Sequence, residues 1–482
     1  MGISQFSDDN YDNRGSDDME DKVRRYSREL RAGAFSGNSL PSLDTIESLV
    51  NYCIEKERFE TALEFCNLWL ELLPVSIDAL IKKAVILNNL NEHAEALKVL
   101  DKTLSLNPND TESLYHKSVA LNQLFRNKEA LYCINDALIN EPENEELLFQ
   151  KAYILQSLRK YNESIEIYNL LLKSDVISSD CYQELGYCYH YTRNYAKALE
   201  FYEKALDVTP YDYNLWLNKG VIHHTKEQYH KAIDSFEMAL AIKQDFFLAW
   251  HNLGNTYASL GRVSEAIESY EEALRHEPQD IETLHNLASV YADYGNYMKA
   301  INIFSVALKL KPNHGKSYFG RGICYDALEN FDKAIEDYDA ALLYNQNNPD
   351  IWYAKADVLF NVSRLAEASF CYHQVVRIEP YNAEAWHDLG LALYEMQDFD
   401  NAKKAFKKAI RYAPDWPEGY YSLSKIYALQ NSIESSVSNL SVAIKLDPEK
   451  KEDFFAEFPK IIKDNDLNPY LNALSQISNN QL

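Results

Sequence analysis

The stretch Trp250–Asp280, WHNLGNTYASLGRVSEAIESYEEALRHEPQD, decides the fold, because its pattern of small, aromatic and proline positions returns every 34 residues from Leu43 to Lys450. Pro278 marks the interval. Steps of 34 from it fall on Pro74, Pro108, Pro142, Val176, Pro210, Gln244, Pro312, Gln346, Pro380, Pro414 and Pro448, so nine of twelve positions are proline and no insertion is needed. Inside the stretch, Trp250, Gly254 and Tyr257 stand at i, i+4 and i+7, and Ala266, Tyr270 and Ala273 repeat that spacing. That spacing places each triplet on one face of a helix, so a unit is two amphipathic helices joined by a turn.

Two further columns keep the same step. Twelve residues before each proline position stand Ala62, Ala96, Ala130, Ser164, Ala198, Ala232, Ala266, Ala300, Ala334, Ala368, Ala402 and Ser436, all small, as a close helix crossing requires. Twenty-four before it stand Gly186, Gly220, Gly254, Ala288, Gly322, Ala356 and Gly390, and four residues earlier come large rings such as Tyr182, Trp216, Trp250, Tyr318, Trp352 and Trp386. This pattern resembles the tetratricopeptide repeat, whose period is 34 and whose signature is W-x2-L-G-x2-Y, A-x3-F, A, P. The resemblance implies an all-α chain, a right-handed superhelical solenoid of about twelve 34-residue helix-turn-helix units. It also implies a non-enzymatic protein–protein interaction scaffold that binds an extended peptide in a groove lined by first helices.

Register divides the chain into three parts. Residues 1–40 are polar and acidic and read as a disordered tail and linker, within which Met19–Arg31 alternates acids and bases and can form a short exposed helix. Residues 43–450 form the twelve-unit solenoid, read as one continuous object, with the first unit, Leu43–Ser76, as an end cap. Residues 451–482 leave the register and read as two capping helices, with Phe454, Phe455, Phe458 and Ile461 covering the last unit. Asp110, Asn144, Asp212, Asp280 and Asn382 precede first helices and suit their free N–H groups. Lys83, Lys117 and Lys151 occupy a site where leucine is usual.

A net charge of −25 argues against a phosphate-backbone partner, which needs clustered Lys and Arg, and favours basic or neutral peptides. The seven cysteines, 53, 66, 133, 181, 188, 324 and 371, show no C-x2-C spacing and read as small buried hydrophobes in a reducing cytoplasm. No apolar run reaches membrane length, so no membrane insertion is expected. Much of the large complement of 35 tyrosines falls in framework columns.

Catalytic signatures do not assemble. His276-Glu277 runs into Pro278 rather than H-E-x-x-H, and Gly315-Lys316-Ser317 imitates the end of a phosphate loop with Leu310 where its first glycine belongs. No cofactor is implied. The imidazoles His190 with His224, and His251 with His285, repeat in step, but stacked units lie roughly 10 Å apart, too far for shared metal bonds.

By the resemblance, groove-facing side chains lie one, two and five residues after the aromatic site. That projection brings out Asn218, Asn252 and Asn286, each 34 apart, as a carboxamide ladder able to hold a peptide backbone. Asn255, Asn286 and Lys316 match part of the family's clamp for a peptide carboxylate, but His251 stands for its first Lys and Gly320 for its Arg. Aromatic groove sites flank this centre: Tyr115, Phe149, Tyr153, Tyr187 and Tyr191 on one side, and Phe319, Tyr353, Phe360, Tyr394 and Tyr421 on the other. Two other readings stay open: a targeting subunit of a separate enzyme of the glycosyltransferase type, and a chaperone-like adaptor for C-terminal carboxylates.

Overall fold

The computed structural model describes residues 9–32, 40–173 and 178–458. Among the described residues the regular structure is 26 helices, α1–α26 in chain order, with no strand. The helices pair as the register predicts. In the unit of Trp250, α14 (Phe247–Ser259) packs on α15 (Val263–His276), and the next unit begins with α16 (Ile281–Asp293). By packing, the chain divides into two compact units, Met1–Thr225 and Lys226–Leu482. The 34-residue step runs unbroken through that division, so no sequence feature marks it.

The small columns work as the spacing requires. A Cβ added at Gly254 would lie 2.7 Å from the Tyr270 ring, and at Gly390 2.5 Å from Phe406, sixteen residues on in each case. Only hydrogen fits there, and the second helix therefore seats its ring directly on the first. Ala62, Ala96, Ala130, Ala232, Ala266 and Ala300 are all fully buried.

A second ruler is more complete than proline. The residue closing each first helix has a left-handed backbone at Glu57, Asn91, Phe125, Arg159, Arg193, Glu227, Gly261, Gly295, Glu329, Ser363, Gln397 and Asn431, again 34 apart. At Gly261 the turn is fixed by Gly261 N–H donating to Ala258 O at 2.9 Å and Arg262 N–H to Tyr257 O at 2.9 Å. The next first helix is then capped from its side: Asp110 accepts from Ser113 N at 2.8 Å, Asn144 from Leu147 N at 3.2 Å, Asp212 from Asn214 N at 2.8 Å, Asp280 from Thr283 N at 2.8 Å, and Asn382 from Ala385 N at 3.0 Å.

Lysines at the leucine site lay their stems along the helix and reach back sixteen residues: Lys83 to Asn67 at 2.8 Å, Lys117 to Asp101 at 2.6 Å and Lys219 to Glu203 at 3.2 Å. All seven cysteines are free and buried.

The helix that the sequence allowed over Met19–Arg31 is present, starts earlier, and is packed rather than exposed. Helix α1 (Asp9–Arg31) sets Met19, Val23, Tyr26 and Leu30 against the core of α2 (Leu43–Glu55) and α3 (Phe59–Leu72), and Val23 is buried. These four residues sit at i, i+4, i+7 and i+11, an apolar stripe hidden among charges. Arg58–Glu20 at 2.9 Å and Arg31–Glu64 at 3.0 Å close its flanks. At the other end α26 (Lys450–Glu457) buries Phe454 against Tyr421 and stacks it on Phe458 at 4.9 Å. Ile461 and the second capping helix lie outside the described residues.

Candidate binding face

In the second unit the first helices touch one another in succession. Helix α14 meets α16, α16 meets α18 (Gly315–Ala327), α18 meets α20 (Pro349–Asn361), and α22 (Ala383–Glu395) meets α24 (Pro417–Leu429). Side chains on these helices therefore share a face.

One stretch of that face is polar and neutral. Asn255 Oδ1 accepts from the Tyr270 hydroxyl at 2.7 Å and from Asn286 Nδ2 at 2.9 Å, so the two carboxamides form one bridged pair across adjacent units. Asn252 instead donates to Leu248 O of its own helix at 2.7 Å. Asn218 lies half-buried on α12 (Tyr213–Thr225), in the first unit, so the three-rung ladder is represented in the second unit by two rungs. His251 Nδ1 and Thr283 Oγ1 are 2.6 Å apart, and burial holds the imidazole below its ordinary pKa. His285 Nδ1 lies 3.3 Å from Ser317 Oγ, its ring 5.5 Å from that of His314, and burial and the neighbouring His314 push its pKa down to about 4. Both imidazoles are neutral near pH 7 and act as hydrogen-bonding groups. Among the described residues no set of His, Cys, Asp and Glu is arranged to hold a metal ion.

The carboxylate clamp is not assembled here. Lys316 is well exposed and 4.0 Å from Glu282, His251 supplies no charge, and Gly320 is backed by Phe304, whose ring a Cβ would meet at 2.5 Å. His285, Lys316, Phe319, Gly320 and Tyr344 instead line an open cleft of about 500 Å³. Phe319 rests against Tyr338 with ring centroids 5.9 Å apart.

Further along, the face turns acidic. A cleft of about 410 Å³ is lined by Tyr353, Asp357, Phe360, Tyr372, Glu384 and Asp388. The Tyr372 hydroxyl, on α21 (Leu365–Ile378), donates to Asp357 Oδ1 at 2.6 Å, and the Tyr353 hydroxyl donates to Asp388 Oδ2. Burial first, and then the charges of Asp388, Asp326 and Glu384, push the Asp357 carboxyl up to about 6.

In the first unit Tyr187 and Tyr191 rings lie 4.6 Å apart, Tyr191 stacks on Tyr161 at 5.2 Å, and Tyr153 and Tyr187 are both about a third exposed. Glu184 is bonded by Gln156 Nε2 at 2.8 Å, and burial raises its pKa.

A register in the sequence accounts for which of these rings are tyrosine. At Asn255 and Asp357 the residue five after the aromatic site meets the ring fifteen residues on. In both cases that ring is a tyrosine with its hydroxyl satisfied. At the same register positions, Ser289 and Leu391 are followed fifteen residues on by Phe304 and Phe406. The equivalent positions before Tyr168, Tyr202 and Tyr338, whose buried hydroxyls have no hydrogen-bond partner, hold Tyr153, Tyr187 and Ile323.

Sequence reading singled out the asparagines, histidines and aromatics but passed over Glu184, Asp357 and Asp388. These occupy the same groove columns, so tallying carboxylates down those columns finds them. Glu384 and His314 lie outside the columns and required the coordinates.

Four segments, residues 77–110, 145–175, 179–212 and 213–246, match family models described as tetratricopeptide repeat, and residues 237–457 match one described as the C-terminal domain of cilia and flagella-associated protein 70. No curated protein matches the chain. Among solved structures, MamA is similar at 25% identity over 34% of this chain and 91% of that one, with a TM-score of 0.33. The hetero-tetramer titled APC/C Cut9-Hcn1 is similar at 14% identity over 87% and 96%, with a TM-score of 0.40. YrrB, titled a TPR protein with an unusual peptide-binding site, is similar at 19% identity over 39% and 96%, with a TM-score of 0.34.

Proposed function

Because the chain belongs to the tetratricopeptide repeat family, we propose that it is a non-enzymatic interaction scaffold whose first-helix face takes an extended segment of a partner protein. The Asn255–Asn286 pair carries this reading. Two donors hold Asn255 Oδ1 from beneath and from the side, so the carboxamide is oriented before any ligand arrives. In this reading the Asn255 amide N–H and the Asn286 carbonyl address the main chain of the segment, which offers one donor and one acceptor per residue whatever its sequence. Neutral His251 and His285 extend the same uncharged surface, and Phe319 and Tyr353 supply rigid rings beyond it. No described helix is long and apolar enough to cross a membrane.

The test is affinity purification with mass spectrometry on the wild type and on a variant with Asn218, Asn252, Asn255 and Asn286 replaced by alanine. Partners of the wild type are expected to drop out while the variant keeps its helical circular dichroism. An unchanged partner set would overturn the reading.

A further inference from the structure

The net charge of −25 disfavours acidic partners for the chain as a whole, but the charge is unevenly spread. Helix α23 (Phe399–Tyr412), the second helix of its repeat, carries Lys403, Lys404, Lys407, Lys408 and Arg411 against the single carboxylate of Asp400. Lys403 takes that carboxylate at 3.0 Å. On other second helices, exposed lysines such as Lys98 and Lys204 meet a carboxylate one turn away, Glu95 and Glu200. Lys404, Lys407, Lys408 and Arg411 are exposed and have no carboxylate partner among the described residues. Lys404 donates to Asn401 Oδ1 at 3.0 Å, and Lys408 Nζ lies 5.7 Å from the centroid of the Trp386 ring.

Two of these cations border a mainly apolar cleft of about 630 Å³ between α21 and α23. Trp386, Leu389 and Leu393 of α22 form its floor. They stand at i, i+3 and i+7, on the side of α22 turned away from Asp388 and Leu391 and so from the first-helix face. Phe370 supplies the wall from α21. Its column holds a carboxylate in six of the twelve units, Glu268 and Glu336 among them, yet at this place it is a ring left 58% exposed and set edge to face on Trp352 at 6.1 Å. The repeat supplies its own comparison. Four units earlier, a cleft of about 740 Å³ keeps the floor with Trp250 and Leu253 but has Glu237, Glu265, Glu268 and Glu272 where this one has His373, Asn401, Lys404 and Lys408. The shape therefore belongs to the repeat, whereas the aromatic wall and the cationic rim belong to this place in it.

Unanswered cations beside an exposed aromatic cleft fit a ligand that is negative at its flanks and bulky and apolar at its centre. Lys404 and Lys408 are one helical turn apart, which is also the spacing of carboxylates at i and i+4 on a facing helix. We propose that this cleft is a second docking site, on the opposite side of the first helices from the groove, for an acidic amphipathic helix of a partner protein. A bulky apolar side chain of that helix enters between Phe370 and Trp386, and two of its carboxylates meet Lys404 and Lys408. The site shares no residue with the groove and does not depend on the reading given to it above.

The test uses the full chain and capped, fluorescein-labelled, alanine-based helical peptides that carry two glutamates a turn apart beside one phenylalanine. Companion peptides replace both glutamates by glutamine, or the phenylalanine by alanine. Fluorescence anisotropy in about 50 mM salt should show the parent peptide binding at least about tenfold tighter than either companion, about 1.4 kcal/mol, and the glutamate margin should shrink in about 500 mM salt. Lys404→Gln with Lys408→Gln should remove the glutamate margin, and Phe370→Glu should weaken the parent peptide at least about tenfold. These side chains are exposed, and a wild-type circular dichroism melt of each variant confirms folding. Equal binding of the glutamate and glutamine peptides, or a margin that survives the loss of both lysines, would overturn the proposal. So would indifference to phenylalanine or to Phe370→Glu, or failure of every peptide to bind. Binding lost in Asn255→Ala with Asn286→Ala would move the peptide into the groove and refute the second site. Sedimentation showing the chain pairing with itself through Lys404 and Lys408 would replace the partner helix by a second copy.

Discussion

Replacing Asp357 by asparagine is expected to stabilise the protein at pH 7 and to lose that effect in acid. In the folded chain the carboxyl is pushed up to about 6, whereas an aspartate in an unfolded chain titrates near about 3.9. The folded state therefore binds the proton more tightly, so stability falls as pH rises from about 4 to about 6 and is flat above. Two pKa units correspond to about 3 kcal/mol, and solvent reaching this half-buried group lowers that to about 1–2 kcal/mol. Asparagine removes the charge opposed by Asp388, Glu384 and Asp326 and keeps an oxygen for the Tyr372 hydroxyl, so little is lost in exchange. Urea unfolding followed by tryptophan fluorescence at pH 4, 5, 6 and 7, wild type against variant, measures the difference. A variant no more stable than wild type at pH 7, or equally favoured at pH 4, would refute the cost of burying this carboxylate beside others, on which the reasoning stands.

His285 should show the opposite slope: with its pKa lowered to about 4, the protein loses stability as pH falls from about 6.5 towards 4, and His285→Gln should flatten that loss in acid melts. Phe125→Gly should stabilise by about 1 kcal/mol in urea unfolding, since Phe125 holds φ at 59° and is 90% exposed, so the substitution relieves a left-handed backbone without giving up packing. Gly254→Ala should destabilise by about 1–2 kcal/mol, because its methyl would press on the Tyr270 ring by more than alanine's better helix propensity returns. Asn255→Ala should cost about 1–3 kcal/mol by orphaning the Tyr270 hydroxyl, and adding Tyr270→Phe should recover most of it, giving a measurable coupling in a double-mutant cycle.

Helices, pairing and caps were legible because each is written in several columns at once. A small residue at 254 and a ring at 270 report the same crossing. The left-handed joint was not legible, because only Gly261 and Gly295 carry the residue that announces it, and the other ten hold ordinary side chains whose conformation is imposed by the helices they join. The packing of helix α1, expected as short and exposed, was missed for a related reason: four apolar positions were outnumbered by acids and bases, and composition masked the stripe. At the candidate face the columns located the residues but not their bonding. Asn252 and Asn286 look equivalent in sequence, yet one turns back to Leu248 and the other crosses to Asn255. Asp357 drew no notice because its significance lies in its burial and in the carboxylates of Asp388, Asp326 and Glu384 that other helices bring near it.

The seating of Gly320 on Phe304 couples neighbouring units in the order in which they can change. A cationic side chain at 320 is blocked until the ring sixteen residues earlier shrinks, and that ring also props the His285 imidazole at 5.5 Å. Shrinking Phe304 first would leave a hollow under two helices, while enlarging position 320 first would force them apart, so either single step is disfavoured. The passage from a neutral surface to one that grips a carboxylate therefore runs through a paired substitution, which separates the two kinds of recognition by more than one residue.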